Sequence, residues 1–300
     1  MSVYKKIIFT LFTTLVFLTL VEVVLSLLPS WMGARQDGSY DHITSGGTAL
    51  VALGDSVTFG YGVSSGESWP EQLFNQIEQR GAKMSVYNRA VSGMDSSEML
   101  QRERHTLNKI SKDGKRPIAL VMIGHNDLVS VGYRNWSIPE ASTSTQAAPP
   151  PPRIVRVFRW MLKHLDQRDD AVTINLQAQN LLEQNLIKLN QLMKELNGKL
   201  YILTYLIPGP PDDTMSPEQQ RLLETGRSYQ KNTNTVLRTL SNKEQIALID
   251  LEHQVNSPNT WDASWFMDHV HPYSKGHTQI ANSVRKHLCS YGELPLSLAE

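Results

Sequence analysis

Cysteine is almost absent from this chain of 300 residues, in which Cys289 is the only one. A single thiol excludes an intramolecular disulfide, a cysteine-based zinc cluster and a redox thiol pair. An excess of charge of either sign is also absent, because 29 lysine and arginine residues balance 29 aspartate and glutamate residues. Proteins that bind nucleic acid usually carry a net basic surface. We therefore expect no nucleic-acid partner.

Long apolar runs are scarce too, and the one that stands out covers residues 7–28. At about 1.5 Å per residue this run reaches roughly 33 Å, which is enough to cross a bilayer as a helix. Lys5 and Lys6 precede it and no net positive charge follows it, so the positive-inside rule predicts a cytoplasmic segment 1–6 and an exported remainder. We expect a single-pass membrane protein whose main domain is extracytoplasmic, and periplasmic if the source is bacterial.

The alternative to a signal anchor is a cleaved signal peptide, whose apolar region normally has about 7–15 residues. The greater length of this run favours the anchor. Glu22 lies within it, although a carboxylate inside a membrane span is costly. Three explanations stay open: a place near the outer interface, protonation, or pairing with another membrane protein.

The rest of the chain has the pattern of one α/β domain. Residues 29–47 contain glycine, serine and aspartate without apolar periodicity, which predicts a linker. Short apolar runs then alternate with helical patterns over residues 48–290, as expected for a parallel sheet with crossover helices. The predicted strands are Ala49–Leu53, Ser85–Asn88, Ile118–Ile123, Leu200–Leu206 and Ile246–Leu251. The predicted helices are Glu67–Arg80, Ser96–Ile110, Ile174–Leu196, Pro217–Leu240 and Ser274–Cys289, and residues 291–300 are expected to form a tail.

An insertion over residues 134–172 interrupts this pattern. Residues 140–152 are a low-complexity stretch that ends in four prolines, which favours an extended conformation. Residues 153–165 follow as a basic amphipathic helix candidate. Either this helix packs on the domain as an ordinary crossover, or its Phe158 and Trp160 help to cover the site or touch the membrane interface.

Ser56 is the candidate nucleophile. It follows the first predicted strand within Gly54-Asp55-Ser56, where a glycine permits a tight turn. A serine hydroxyl is a weak nucleophile until a base removes its proton. The motif alone is also compatible with a turn that caps a helix.

His271 is the candidate base, and Asp268 lies three residues before it. This spacing lets the carboxylate reach the imidazole Nδ1 and leave Nε2 free to take the serine proton. His253, His269 and His277 are other histidines in the same part of the chain.

Two further blocks supply candidate donors to an oxyanion. Gly93 follows the second predicted strand and can present its backbone N–H, and Asn126 follows the third and can present its side-chain amide. Together with the Ser56 N–H they make three donors. We expect Gly124 to allow close approach of its loop and Asp127 to support that loop by accepting hydrogen bonds.

The order, spacing and placement of these blocks resemble those of the SGNH, or GDSL-type, serine hydrolase family. The resemblance covers roughly residues 48–290, and Val57 stands where the older GDSL label has leucine. It implies a three-layer α/β/α flavodoxin-like fold with about five parallel strands in the order 2-1-3-4-5. It also implies esterase, lipase or carbohydrate-deacetylase chemistry without a metal or another cofactor.

Three functions fit these observations. The first is a membrane-anchored serine esterase that removes acetyl or short acyl groups from an envelope glycan or a related ester. The second is a lipid esterase or lysophospholipase, for which residues 153–165 would provide contact with a bilayer. The third is an O-acyltransferase or a non-catalytic module that works with a membrane protein. Family acyltransferases of the alginate type tend to place the Asp-His pair before the serine, so the order found here favours hydrolysis.

Overall fold

The computed structural model describes residues 40–129, 176–211, 213, 215–255, 265–268 and 270–298, together with positions 13, 17 and 20. Residues 37–137 and 172–300 form one compact unit. Within the described part of the chain, no helix combines the length and the apolar character that a bilayer span needs. The described residues include only those three positions of the predicted span 7–28, and Glu22 is not among them. The predicted insertion 134–172, with Phe158 and Trp160, also lies outside the described residues.

The compact unit is built on a six-stranded mixed sheet with the order β1-β3-β2-β4-β5-β6. The strands are β1 Tyr40–His42, β2 Thr48–Gly54, β3 Ser85–Asn88, β4 Arg116–Met122, β5 Lys199–Leu203 and β6 Ala247–Ile249. Strands β2 to β6 pair in parallel, and β1 pairs antiparallel with β3. The five parallel strands follow the order that the family resemblance implies.

The helices alternate with these strands along the chain. They are α1 Ser56–Phe59, α2 Trp69–Gln79, α3 Ser96–Lys112, α4 His125–Val129, α5 Leu176–Glu195, α6 Pro217–Glu244, α7 Leu251–Val255 and α8 Ser274–Ser290, and a 3₁₀ turn covers Leu296–Leu298. The side chain of Asp95 caps α3 by accepting from the backbone N–H of Ser97 at 2.8 Å and of Glu98 at 3.1 Å, which satisfies donors that a helix start leaves open.

Two apolar layers cover the sheet because successive side chains of a strand point to opposite faces. Leu50 and Ala52 of β2 pack with α2 and α8, whereas Val51 and Leu53 pack with α3, α5 and α6. Strand β2 is buried on both faces, which explains its uninterrupted apolar sequence. The domain is therefore a three-layer α/β/α structure.

The first strand differs from the sequence-based expectation. Tyr40–His42 lies in the segment predicted as a linker, yet it pairs with β3 along Val86–Asn88. Asp41 also forms an ion pair with Arg89 at 3.4 Å. Its three residues, Tyr-Asp-His, show no apolar alternation, so the composition alone does not indicate this edge strand. The sheet is therefore mixed, with five parallel strands and one antiparallel strand in the described part.

The predicted C-terminal tail also belongs to the domain as far as residue 298. Leu294 and Leu298 are buried in the layer formed with α8. Glu293 accepts a 3.0 Å hydrogen bond from the hydroxyl of Tyr201 on β5. Burial of Leu294 and Leu298 makes the end of the described chain part of the apolar layer on this face of the sheet.

Candidate active site

Ser56 starts α1 directly after β2. The side chain of Asp55 caps this short helix by accepting from the Val57 N–H at 3.0 Å. A Cβ on Gly54 would lie 2.3 Å from the Met122 carbonyl oxygen and 2.5 Å from the Thr58 Oγ1. Only glycine fits between β4 and the serine turn, so Gly54 lets the chain bend sharply and bring Ser56 to the carboxyl edge of the sheet, where ligands of open parallel sheets bind.

Asp268, His271 and Ser56 form a continuous chain of hydrogen bonds. His271 Nδ1 donates to the Asp268 Oδ2 at 2.7 Å, and His271 Nε2 lies 2.8 Å from the Ser56 Oγ. The other carboxylate oxygen of Asp268 accepts from the backbone N–H groups of Val270 and His271, each at 2.8 Å. With Nδ1 donating to the carboxylate, Nε2 is the atom that accepts the serine proton.

The ionisation of Asp268 suits this arrangement. Partial burial alone would raise its pKa, but the hydrogen bonds from the His271 ring and backbone and the charge of that imidazole hold the pKa well below its usual range. A carboxylate that stays ionised keeps the tautomer of His271 and stabilises its cation when the imidazole takes a proton.

A second aspartate–histidine pair, Asp250 and His253, has the same sequence spacing but different hydrogen-bond partners. His253 Nδ1 lies 2.7 Å from the Asp250 Oδ2, and Asp250 is also paired with Arg238 at 2.8 Å. His277 accepts from the Trp69 N–H through Nδ1, and His269 lies outside the described residues. Among the histidines proposed from the sequence, the structure brings His271 to the serine.

The loops that carry the predicted oxyanion donors are joined to the serine turn. Asn88, the last residue of β3, donates its side-chain amide to the Thr58 carbonyl at 3.2 Å. In the loop that follows, the Val91 N–H donates to the Gly54 carbonyl at 3.2 Å. Gly93 follows with a φ of 80°, a left-handed conformation that favours glycine. The Asn126 amide donates to the Met94 carbonyl at 3.0 Å, which uses one of its two hydrogens and leaves the second to bond elsewhere.

Asp127 joins the Asn126 loop to the start of α3. It is buried, and its carboxylate accepts from the Ser96 N–H at 3.0 Å and from the Ser96 Oγ at 2.6 Å. The Asn185 amide on α5 donates to the same Ser96 Oγ at 2.9 Å. On the neighbouring side, a Cβ on Gly124 would meet Leu182 at 2.9 Å, so the glycine lets α5 approach this loop closely.

Tyr205 belongs to the site, although no motif identifies it. Its hydroxyl donates to the Asp55 Oδ2 at 2.6 Å and accepts from the His125 N–H at 3.4 Å. The side chain of Asn234 on α6 accepts from the Tyr205 N–H at 2.7 Å and donates to the Tyr205 carbonyl at 2.9 Å. Tyr205 thus links the residue before Ser56 to the residue before Asn126. The only sequence signal is a tyrosine near the carboxyl end of a predicted strand.

Burial is the main cause of the shifted pKa values of Asp55 and Tyr205. Loss of solvent raises the pKa of Asp55 to about 6, and the hydrogen bonds from Tyr205 and Val57 and the nearby His271 oppose that rise. Burial and the adjacent carboxylate raise the pKa of Tyr205 well above its ordinary value. Tyr205 therefore stays a neutral donor, and Asp55 is a carboxylate at neutral pH and above.

The family model of the GDSL-like lipase/acylhydrolase family matches residues 52–279, which is more than half of the chain. This chain belongs to the GDSL-like lipase/acylhydrolase family. The match includes the serine turn, both donor loops and the Asp268–His271 pair. The hydrogen-bonded serine, histidine and aspartate described above are thus found in a family of ester-cleaving enzymes.

Solved structures with the same fold are distant in sequence. Axe2, an acetylxylan esterase from Geobacillus stearothermophilus, has a TM-score of 0.51 at 16% identity, and the match covers 82% of this chain and 96% of that one. LAE5, an alpha/beta hydrolase from the metagenome of Lake Arreo, Spain, has a TM-score of 0.51 at 16% identity, with 84% and 97% covered. TesA has a TM-score of 0.50 at 17% identity, with 80% and 98% covered. No curated protein matches the chain in sequence. These likenesses establish the α/β fold of this GDSL-like protein.

Proposed function

We propose that this GDSL-like protein is a membrane-anchored, extracytoplasmic serine esterase that removes acetyl or short acyl groups from an envelope glycan or a related ester. One observation carries the chemistry. The hydrogen-bond chain from the Asp268 carboxylate through His271 to the Ser56 hydroxyl has distances of 2.7 Å and 2.8 Å. This arrangement is that of a serine, a general base and an orienting carboxylate.

The reaction proceeds through an acyl-enzyme. Ser56 Oγ attacks the ester carbonyl carbon while its proton moves to the Nε2 of His271. The carbonyl oxygen becomes an oxyanion, which accepts from the N–H groups of Ser56 and Gly93 and from the Asn126 amide. The bond to the alcohol then breaks, and the alcohol oxygen takes the proton from Nε2.

Water completes the cycle in the reverse sense. It gives a proton to Nε2 as its oxygen attacks the acyl carbon, and the serine oxygen recovers that proton as it leaves. Asp268 remains a carboxylate throughout and stabilises the imidazolium that forms twice in each turnover. All steps use groups of this chain, with water as the co-substrate.

The cellular place rests on the sequence of the N-terminal segment. Residues 7–28 are apolar over a length that spans a bilayer, and Lys5 and Lys6 precede them. In this arrangement the domain that begins at β1 is held outside the cytoplasm, close to the membrane and to envelope polymers. Glu22 within the span would suit contact with another membrane protein.

The choice of a short acyl group on a glycan follows from that location and from the family. The structural likeness to an acetylxylan esterase agrees with this choice at the level of the fold. The lipid-esterase alternative is supported by the basic amphipathic sequence of residues 153–165. A transferase would use the same acyl-enzyme with a sugar hydroxyl in place of water.

An acyl-length series separates these functions. The full chain, purified in detergent, is assayed with nitrophenyl acetate, butyrate, octanoate and palmitate. We expect kcat/KM to be highest for acetate or butyrate and to fall for the longer chains. A maximum at octanoate or palmitate would support the lipid esterase instead, and turnover that requires an added sugar acceptor would support the transferase.

A further inference from the structure

The ring of Tyr61 lies against the imidazole of His271. The two ring centroids are 4.6 Å apart, and the ring planes are inclined by 43°. The chain turns at Gly60 directly after α1, and the Tyr61 N–H donates to the Ser56 carbonyl at 2.9 Å. Unlike Tyr205, Tyr61 is partly exposed, at 37%. A partly exposed aromatic ring therefore lies beside the imidazole of the candidate base.

The turn that carries Tyr61 packs against the loop that carries His271. Gly62 has a φ of 80°, and a Cβ there would lie 2.3 Å from the sulfur of Met267. Met267 directly precedes Asp268, and its N–H donates to the His271 carbonyl at 2.9 Å. These contacts place the turn that carries Tyr61 directly against the loop that carries His271.

The geometry of ester cleavage indicates which part of the substrate lies near the Tyr61 ring. The carbonyl oxygen is bound by donors on the loops after β3 and β4. The alcohol oxygen must come within hydrogen-bond reach of the His271 Nε2 to receive its proton, at about 2.6–3.2 Å. The atoms attached to that oxygen therefore lie near the imidazole, which the Tyr61 ring contacts.

We propose that Tyr61 forms the subsite for the alcohol part of the ester and that this subsite takes a pyranose alcohol. The inference rests on the proposed esterase function. A phenol offers a flat apolar face and a hydroxyl, and a pyranose offers a face of C–H groups with hydroxyls at its edge. A small alkyl alcohol has too little surface to cover the ring. Tyr61 thus selects the alcohol, and the acyl group is selected elsewhere.

A ratio of two acetates tests this role with the full chain in detergent. Methyl 6-O-acetyl-glucopyranoside and ethyl acetate give the same acetyl-enzyme, so any general effect of a substitution on His271 cancels in the ratio of their kcat/KM values. In Tyr61→Ala we expect the ratio of pyranoside to ethyl ester to fall about tenfold, which corresponds to about 1.4 kcal/mol. Tyr61→Phe keeps the ring and should keep the ratio within about threefold.

Tyr273→Ala is the matched control, because Tyr273 is another exposed tyrosine and lies two residues after His271. Its ratio should equal that of the unaltered protein. An unchanged ratio in Tyr61→Ala, or an equal loss in the Phe and Ala variants, would overturn the proposal. A change in acetate-to-butyrate selectivity in place of the alcohol ratio would assign Tyr61 to the acyl side and also overturn it. Failure of the unaltered protein to cleave either acetate would instead remove the esterase function itself.

Discussion

Tyr205 and Asp55, which are 150 residues apart, share a buried hydrogen bond of 2.6 Å directly behind the candidate nucleophile. Because the same hydroxyl accepts from the His125 N–H, one side chain joins the serine turn to the loop of Asn126. The placement of the candidate nucleophile relative to Asn126, a candidate oxyanion donor, therefore depends on a residue that is hydrogen-bonded to neither. We regard Tyr205 as a positioning residue.

Tyr205→Phe should lower kcat by about 10- to 100-fold with little change in KM, because small misplacements of reacting groups are costly in rate. Ester kinetics and a melting curve measure both effects. Tyr201→Phe is the matched control, since Tyr201, which lies on β5, is also buried and donates to a carboxylate, that of Glu293. It should lower stability by about 1 kcal/mol and leave kcat unchanged. Equal kinetic behaviour of the two variants would make Tyr205 a structural residue only.

The two Asp-x-x-His pairs offer an internal comparison. His271→Ala should reduce kcat by about 10⁴-fold or more, and Asp268→Asn should be somewhat less damaging, because the carboxylate orients the imidazole but does not take the proton. His253 has the same spacing from an aspartate and the same 2.7 Å contact with its carboxylate. The variant His253→Ala should nevertheless retain full activity. Ester turnover of the three purified variants measures this. A greater loss in His253→Ala would show that the base is wrongly assigned.

The sequence predicts the parallel strands and the motif residues better than the contacts between distant segments. Strands β2, β4 and β5 contain apolar runs that are covered on both faces, so their own composition indicates them. Strand β1 is polar and forms because β3 offers it a free edge. Strand β5 ends at Leu203 and not at the predicted Leu206. Beyond its end, the backbone N–H and carbonyl of Tyr205 bond to the side chain of Asn234 instead of to a neighbouring strand.

The same distinction holds in the candidate site. Ser56, Gly93, Asn126, Asp268 and His271 are named by motifs of short range. Tyr205 and Tyr61 are placed by the fold, through contacts across 150 and 210 residues with Asp55 and His271. No local pattern distinguishes either tyrosine from an ordinary core or surface aromatic, so neither could be predicted before the topology was known.

The buried His277 predicts an acid sensitivity of the fold. Burial, with a smaller effect of His271, lowers its pKa from 6.5 to about 3. Below pH 6.5 the unfolded chain therefore binds a proton that the folded chain does not, and stability falls as the pH falls towards 3, by at most about 5 kcal/mol. Asp55 acts in the opposite sense between its ordinary value of 3.8 and about 6, since its folded pKa is raised.

Melting temperatures between pH 7 and pH 3 measure this effect. In His277→Asn the decline towards acid should be shallower than in the unaltered protein, because asparagine can still accept from the Trp69 N–H but does not titrate. His105→Asn changes an exposed histidine on α3 and should leave the profile as it is. An unchanged slope in the His277 variant would refute the linkage.

The proposed topology can be tested apart from the chemistry. An alkaline phosphatase fused after residue 45 should be active when the fusion is expressed in a Gram-negative host, because the positive-inside rule predicts from Lys5 and Lys6 that the N-terminus stays inside. A β-galactosidase fused at the same residue should be inactive. The reverse pair of results would place the domain in the cytoplasm and rule out an envelope substrate.

Covalent labelling of Ser56 is the most direct measurement of the central claim, that the Asp268–His271 pair activates this serine. The full chain is treated with a fluorophosphonate, and the modified peptide is identified by mass spectrometry. We expect a stoichiometric adduct on Ser56, its loss in Ser56→Ala with an unchanged melting temperature, and much slower labelling in His271→Ala. An adduct on a different residue, or labelling that persists in Ser56→Ala, would contradict the account.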